Sequence, residues 1–429
     1  MPSAVRLARL ISLILLCWAG ANLAQPPQPL SLDHALARAL AQHPRLAQQQ
    51  AQAEAAARVP AQAGSLPDPE LQLNALNLPV DRFGIDDENM TQLQIGVAQR
   101  LPFPGTLSLR REAAEQVAQA AQAQLAETEL QLLEQVESHW WELVYLQQAL
   151  AIIARHRDLL AQSAAIAQTE YRVGKGLQQD VLLAEVELSR LAERRIELSG
   201  QQDKTRAELG PLLGMAAAAP LRVAVPEQPA LPDLPATAEL VKQARLARPL
   251  LSVKRSELAA ARSRRDLARR DYYPDLAVSA RYGFRQGRDA RGRERTDFAS
   301  IMLSLEVPLY FAGKQRQHVA EQGARVTART EALAVALLQL ERELGAARAD
   351  YRRWQQRAQL LTERLIPQAR QSVRSMQAGY RADQVDFLNL ARARVSLLEF
   401  EQQHWRALTR ARQALTRLQA LTGERSGDI

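Results

Sequence analysis

Cysteine, aromatic side chains and long apolar runs are all scarce in this sequence of 429 residues. Cys17 is the single cysteine, and it sits in an N-terminal stretch that reads as removable. Neither a disulfide nor a thiolate site is therefore expected in the mature chain. Aromatics amount to only 5%. Beyond the N-terminus no segment approaches about eighteen consecutive apolar residues, which excludes a second membrane-spanning helix. Catalytic and metal signatures are missing as well. The six histidines (His34, His43, His139, His156, His318, His404) show no ligand spacing with one another, and the five methionines are scattered. Nothing resembles a nucleophile elbow or a phosphate-binding loop, and Gly174-x-Gly176 is only part of a turn. No enzymatic activity, bound metal or other cofactor is expected.

What is abundant is alanine, leucine, glutamine, glutamate and arginine, the palette of long packed helices. The formal net charge is +8. The arginines are spread along every helical stretch instead of forming one block, which argues against nucleic acid as a partner. At the N-terminus, "MPSAVRLARLISLILLCWAGANLAQ" combines Arg6 and Arg9 with an apolar run from Leu10 to Trp18 and small residues after it. That is the layout of a secretory signal over residues 1–24, with cleavage after Ala21 or Ala24. As an uncleaved anchor the run is too short to span comfortably. Leu16 occupies the place where lipid attachment to Cys17 wants a small residue, which argues against lipidation. The mature chain is expected to be periplasmic, extracellular or inserted as strands.

The rest is one plan used twice: residues 25–219, a proline-rich connector at 220–235, and residues 236–429. Pro44 corresponds to Pro249, Pro69-Glu70-Leu71 to Pro274-Asp275-Leu276, Gly174 to Gly379, and Gly214 to Gly423. Landmarks in one order over such a distance indicate internal duplication. Each copy begins with a helical pattern (31–63, 236–270). The period then changes to two in "LQLNALNL" (71–78), "TQLQIGVAQRL" (91–101), "DLAVSARYGF" (275–284) and "SIMLSLEVPLY" (300–310). These read as strands with one apolar and one polar face, long enough to cross a bilayer when tilted. Helix resumes after Pro102 and Pro308. In 106–172 one apolar line runs through Val136, Trp140, Leu143 and Ile153, and a second through Leu133, Trp141, Val144, Leu159 and Ile166, so neighbours are expected on both sides. Trp140, Trp141 and Trp354 are expected to be packing residues. Pro367 should bend the second long helix.

At 1.5 Å per residue each long helix is roughly 100 Å, against about 50 Å for the helices at 31–63, 177–213, 236–270 and 384–422. One long helix is matched by two short ones placed end to end. The glycine motifs "YRVGKGLQQDVLLAEVEL" and "MQAGYRADQVDFLNLARARVSL" then become turns at the tip farthest from the strands. Four strands cannot close a barrel, and open edges are not tolerated in lipid. Two chains give eight strands and a filled interior, whereas three give twelve strands and twelve helix positions around one axis.

These features resemble the TolC-type outer-membrane efflux channel family over essentially the whole mature chain. The residues that carry the likeness are Tyr171, Gly174, Asp180-Val181-Leu182, Gly379 and Asp386-Phe387-Leu388. "SLPDPELQLNALNLPVDRF" with "MTQLQIGVAQRLPFPG" further resembles the heavy-metal efflux branch. The resemblance implies a mostly α-helical homotrimer carrying a 12-stranded membrane β-barrel on an α-helical tunnel. It also implies an outer-membrane location with a large periplasmic part, contact with outer-membrane lipid, a periplasmic adaptor (membrane fusion) protein, and an inner-membrane pump of the resistance-nodulation-division type. Substrates would pass passively, with heavy-metal cations as candidate cargo and selectivity residing in the pump. The tip residues Gly174, Lys175, Gly176, Leu177, Gly379, Tyr380 and Ala382 are expected to dock the adaptor. In the family an arginine stands two residues after the second glycine, and Arg381 occupies that place. It is expected to bond Asp180 of a neighbouring hairpin as a periplasmic gate, with Asp383 and Asp386 as reserve partners, although Gln179 stands where the family often has a hydroxyl residue.

Two loops stay open to either reading. Asp68, Glu70, Asp81, Asp86, Asp87 and Glu88 form an acidic run that collects cations or is simply solvated. "RQGRDARGRER" (285–295) is its basic counterpart, touching lipopolysaccharide phosphates or likewise solvated. The competing reading of the whole chain is a secreted, soluble helical scaffold whose alternating segments form small sheets.

Overall fold

The computed structural model describes residues 29–217, 221–227, 229, 231–382 and 384–424. The expected signal segment and Asp383 lie outside the described residues. The first repeat runs from helices α1 (Leu32–Gln42) and α2 (Pro44–Ala63) to strands β1 (Glu70–Leu76) and β2 (Gln92–Leu101), then to helices α3 (Thr106–Arg172) and α4 (Gln178–Leu212). The second follows the same order with α5 (Thr237–Ala247), α6 (Pro249–Arg270), β3 (Asp275–Phe284), β4 (Phe298–Glu306), α7 (Gln315–Leu360), a π turn (Leu361–Leu365), α8 (Ile366–Arg381) and α9 (Phe387–Thr422).

Two expectations need correction. The opening helix of each repeat is two helices, because a proline at the first position of α2 and of α6 forces the preceding residue out of the helical region. His43 (ψ 119) and Arg248 (ψ 121) are extended, and the His43 side chain accepts from Arg45 N–H. The strands are shorter at their ends: β1 stops at Leu76 and β4 at Glu306, before Pro308, which leads into a turn and not directly into α7. Pro367 is accommodated by the π turn just before it, since a wider turn absorbs the missing N–H of the proline.

The four strands make one antiparallel sheet in the order β1-β2-β3-β4. Register puts Leu73 opposite Ile95, Ile95 opposite Tyr282, Val278 opposite Leu303 and Ala280 opposite Ile301. With a period of two, this unites most of the large apolar residues of the four strands on one face, Leu76, Phe298 and Met302 excepted. That face is bare: Leu73, Ile301 and Leu303 are each more than 60% exposed. The opposite face carries Gln72, Gln94, Arg100, Arg281, Ser304 and Glu306. Arg281 Nε donates to Gln72 Oε1 at 3.0 Å, and Arg100 pairs with Glu306 across the sheet. Gly96 makes room for this, because a Cβ there would lie 2.5 Å from Arg281 Cγ. Five of the seven phenylalanines gather at the two ends of the sheet: Phe83, Phe284 and Phe298 by the hairpins, and Phe103 and Phe311 by the helices.

The 67 residues of α3 rise straight from β2 and touch α2, α4, α6 and α9, so the expected double seam has partners on more than two sides. Trp140 and Trp141 are buried among Val136, Leu143, Leu209 and Leu213, in line with the packing reading. The second repeat repeats this centre with Tyr351, Leu344, Leu415 and Leu418. In both, an aromatic on the long helix donates to the chain leading into the repeat: Trp140 Nε1 to Leu30 O at 3.0 Å, and Tyr351 Oη to Pro232 O at 2.6 Å. Toward the tip, Leu159 and Ile166 of the second seam remain 48% exposed.

Glu127 ties the repeats together partway up the shaft, roughly 30 Å from the sheet. Its side chain is 2% exposed, accepts from Leu250 N–H at 3.1 Å at the start of α6, and lies 3.2 Å from Arg248. Replacing Glu127 by alanine leaves a largely buried guanidinium unpaired, at a cost of about 3 kcal/mol. The midpoint of urea unfolding should fall accordingly, and Glu127→Gln should recover part of the loss.

Candidate docking and gating tip

The first tip is built by a glycine that the turn requires. Helix α3 ends with Gly174 at φ +75, while Gly174 N–H donates to Tyr171 O (3.0 Å) and Lys175 N–H to Glu170 O (2.9 Å). That pair of bonds is the Schellman arrangement, in which a left-handed residue closes the last helical turn. Gly176 N–H also reaches Glu170 O, after which extended Leu177 starts α4. Lys175 and Leu177 are exposed, as are Tyr171 and Val173, which no sequence motif marks as docking residues.

The second tip reaches the same reversal differently, which corrects the expectation that both glycines make the turn. Helix α8 continues through Gly379 to Arg381, and the reversal begins at Ala382, whose N–H caps the helix. Gly379 is needed for proximity: a Cβ there would lie 2.6 Å from Val385 Cγ2. Asp386 caps α9 by accepting from Asn389 N–H at 3.0 Å. Tyr380, expected to face outward, instead points between the hairpins. Its Oη donates to Glu170 Oε2 at 2.9 Å, and its ring meets Phe387 edge-on at 5.8 Å. Phe387 is buried with Leu160, Ala167, Ala184 and Ala391, so the two tips of one chain form a single packed unit. Glu170 is its polar hub, accepting through both backbone and side chain.

The gate residues divide within one chain. Asp180, Asp386 and Glu170 come together, and burial, then Asp386, then Glu170 push the Asp180 carboxyl above its ordinary range. Arg381 is exposed and makes no ion pair among the described residues, so the bond to Asp180 does not form within one hairpin pair. Farther up, Glu401 has the opposite environment. His156 Nε2 lies 3.2 Å from its Oε2, and Arg370 donates to Oε1 at 2.9 Å. The bond with His156 outweighs burial and, with Arg370, brings the Glu401 carboxyl down to about 2.

At the opposite end the basic loop is mostly self-engaged. Arg295 Nη1 donates to the carbonyls of Asp86, Glu88 and Gln286, and Arg285 donates to Thr296 O and Asn89 O. Arg293 pairs with Asp289. Two arginines thus clamp the two outer loops together through the backbone of the acidic run. Among the described residues no group of three or more histidine, cysteine, aspartate or glutamate side chains is placed to hold a metal ion, and no helix is long and apolar enough to cross a membrane.

The two carboxylates give opposite pH signatures. The Glu401 pKa is depressed from 4.5, so its contribution to stability is present above about pH 4.5 and is lost as pH falls toward 2. The Asp180 pKa is raised, so its ionised form costs stability at neutral pH; the cost shrinks as pH falls below the raised value and is gone below the ordinary value of 3.8. Urea midpoints measured across pH should therefore show Glu401→Gln flattening the acid limb. Asp180→Asn should stabilise at neutral pH and converge with the parent in acid.

The outer membrane efflux protein family model matches this chain twice, over residues 35–215 and 240–424. Protein CyaE of Bordetella pertussis is 29% identical over 283 residues, 63% of this chain, and the match spans 59% of CyaE's length. The cobalt-zinc-cadmium resistance protein CzcC of Cupriavidus metallidurans is 24% identical over 400 residues, covering 92% of this chain and 90% of CzcC. The outer membrane protein VceC from Vibrio cholerae has the same fold, with a TM-score of 0.76 at 18% identity over 92% of this chain and 96% of VceC. The two family matches take in both repeats, from α1 to just past α4 in the first and from α5 to just past α9 in the second. By that coverage, the chain belongs to the outer membrane efflux protein family, the TolC-type channels, which are not enzymes.

Proposed function

We propose that three copies of this chain close a 12-stranded barrel in the outer membrane and an α-helical tunnel beneath it, forming the exit duct of a tripartite efflux system. One observation carries the reading: an exposed, continuous apolar sheet face bounded by two unpaired strand edges, standing on a helix roughly 100 Å long. Such edges require partners in lipid, and β4 of one copy against β1 of the next supplies them. Residues 1–24 act as the export signal. Residues 25–219 and 236–429 are the two repeats, joined by 220–235.

The tips face the periplasmic adaptor, which links them to an inner-membrane pump of the resistance-nodulation-division type. Lys175, Gly176, Leu177 and Ala382 provide the docking contacts, while Gly174, Gly379 and Tyr380 hold the tip's shape. Heavy-metal cations are the favoured cargo, in keeping with the likeness to CzcC along nearly the whole chain. For the gate, the cluster of Asp180, Asp386 and Glu170 leaves negative charge facing outward, and Arg381 of an adjoining chain is its counterpart. Each such contact at a wet site is worth about 1 kcal/mol or less, so closure is collective and adaptor docking overturns it.

Cysteines placed along Glu70–Leu76 and Phe298–Glu306 should crosslink into trimers in outer-membrane fractions. A soluble monomer in the periplasmic extract would sink the channel reading. In planar bilayers, Arg381→Ala and Asp180→Ala should each raise single-channel conductance, and unchanged conductance in both removes the gate. A cysteine at Lys175 should crosslink to the adaptor, whereas one at Gln122 on the shaft should not.

A further inference from the structure

We infer that the cavity where the sheet meets the helices binds the phosphodiester of a phospholipid headgroup. It encloses about 560 Å³ between the start of β3, the end of β4, the C-terminus of α6 and the first turns of α3 and α7. Arg110, Arg270 and Lys314 line it, and among the described residues none of the three makes an ion pair. The carboxylates on the same wall are engaged elsewhere. Asp271 lies 2.8 Å from His318 Nδ1, Asp275 accepts from Phe103 N–H at 2.9 Å, and Glu306 pairs with Arg100. The cavity wall therefore carries three basic side chains that make no ion pair among the described residues and can turn to an anionic guest.

Backbone polarity points the same way. Helices α3 and α7 both begin at this cavity, and neither Gly105 nor Lys314 supplies a side-chain cap. Thr106 N–H is taken by Phe103 O and Arg316 N–H by Phe311 O, so what the two starts offer is chiefly the positive end of each helix dipole, a setting suited to phosphate. A separate observation comes from Gln315. The residue lines the cavity and is 7% exposed, and its buried Oε1 has no hydrogen-bond partner. Being an acceptor, that oxygen is completed only by a donor, such as a water carried between it and the phosphate, and not by a phosphate oxygen. Arg270 is held in place from behind, its guanidinium 6.0 Å from the Phe103 ring, which stacks on Tyr273 at 4.4 Å.

The surroundings select a lipid over free phosphate. The apolar sheet face ends at this level, and Val307, Leu309, Tyr310 and Phe311 continue it as an exposed apolar and aromatic rim. Aromatics at the end of an apolar strand band are the signature of a membrane–water boundary. Acyl chains lie along the bare face of β4 while the phosphate enters the cavity. The site rests on the outer-membrane reading above, because only insertion brings this rim to headgroup depth.

The test is native mass spectrometry of the trimer extracted from outer membranes in mild detergent. The parent should retain phospholipid, and Arg110→Gln/Arg270→Gln/Lys314→Gln should lower retention by about tenfold or more. The double variant Arg110→Gln/Lys314→Gln changes exposed side chains only, spares the Arg270–Phe103 contact, and should show a smaller loss. Arg288→Gln/Arg291→Gln in the outer loop should change nothing. Equal retention by parent and triple variant overturns the site, and so does displacement of the bound lipid by excess inorganic phosphate. Absence of the parent from the outer-membrane fraction would instead defeat the channel reading, so the two failures are distinguishable.

Discussion

Backbone groups along the outer edges of β1 and β4 have no ladder partner inside one chain, and much else follows from that. A peptide N–H or C=O without a partner costs several kcal/mol in hydrocarbon, so an apolar sheet with open edges is unstable both in water and alone in lipid. The edges sit on either side of a face that water disfavours. The fold accordingly keeps its polar inventory, including Arg281 with Gln72 and Arg100 with Glu306, on the opposite face, where it is already partnered. In the proposed trimer, neighbouring copies pair the edges while lipid hydrocarbon covers the face.

Below the sheet, the repeats solve one packing problem with different residues. Trp140 and Tyr351 each sit in the core around their long helix and donate to a carbonyl of the segment leading into their repeat, although they are not corresponding positions and one is an indole, the other a phenol. The tips diverge further. Gly174 provides a backbone conformation, whereas Gly379 provides space for Val385. Duplication thus preserved the path of the chain more closely than the reason each landmark residue is there.

That distinction governs what is legible in the sequence. The strands can be read because alternation sustained over nine or ten residues rarely arises outside a two-faced sheet, and α3 because its apolar lines persist through many turns. The splits at His43 and Arg248 escape such a reading even though Pro44 and Pro249 stand out, because a proline at a first helical position leaves the hydrophobic period on both sides intact. Tyr380 reads as outward-facing because a tyrosine beside a turn looks exposed until the other repeat's hairpin, with Glu170 and Phe387, is set against it. The meeting of Asp180 with Asp386 is invisible for the same reason: each has its own turn, and only tertiary packing makes them neighbours.

The π turn at Leu361–Leu365 has a rotational consequence. One extra residue in a helix advances every later side chain by about 100° around the axis. Arg370 and Tyr380 both lie beyond it, and both reach partners on other helices, Glu401 and Glu170. The wide turn therefore works as a phase setting for the lower shaft, deciding which stripe of α8 meets its neighbours. Tightening it to a regular α-turn would twist that stripe away from both carboxylates at once, with no change to any residue in contact with them.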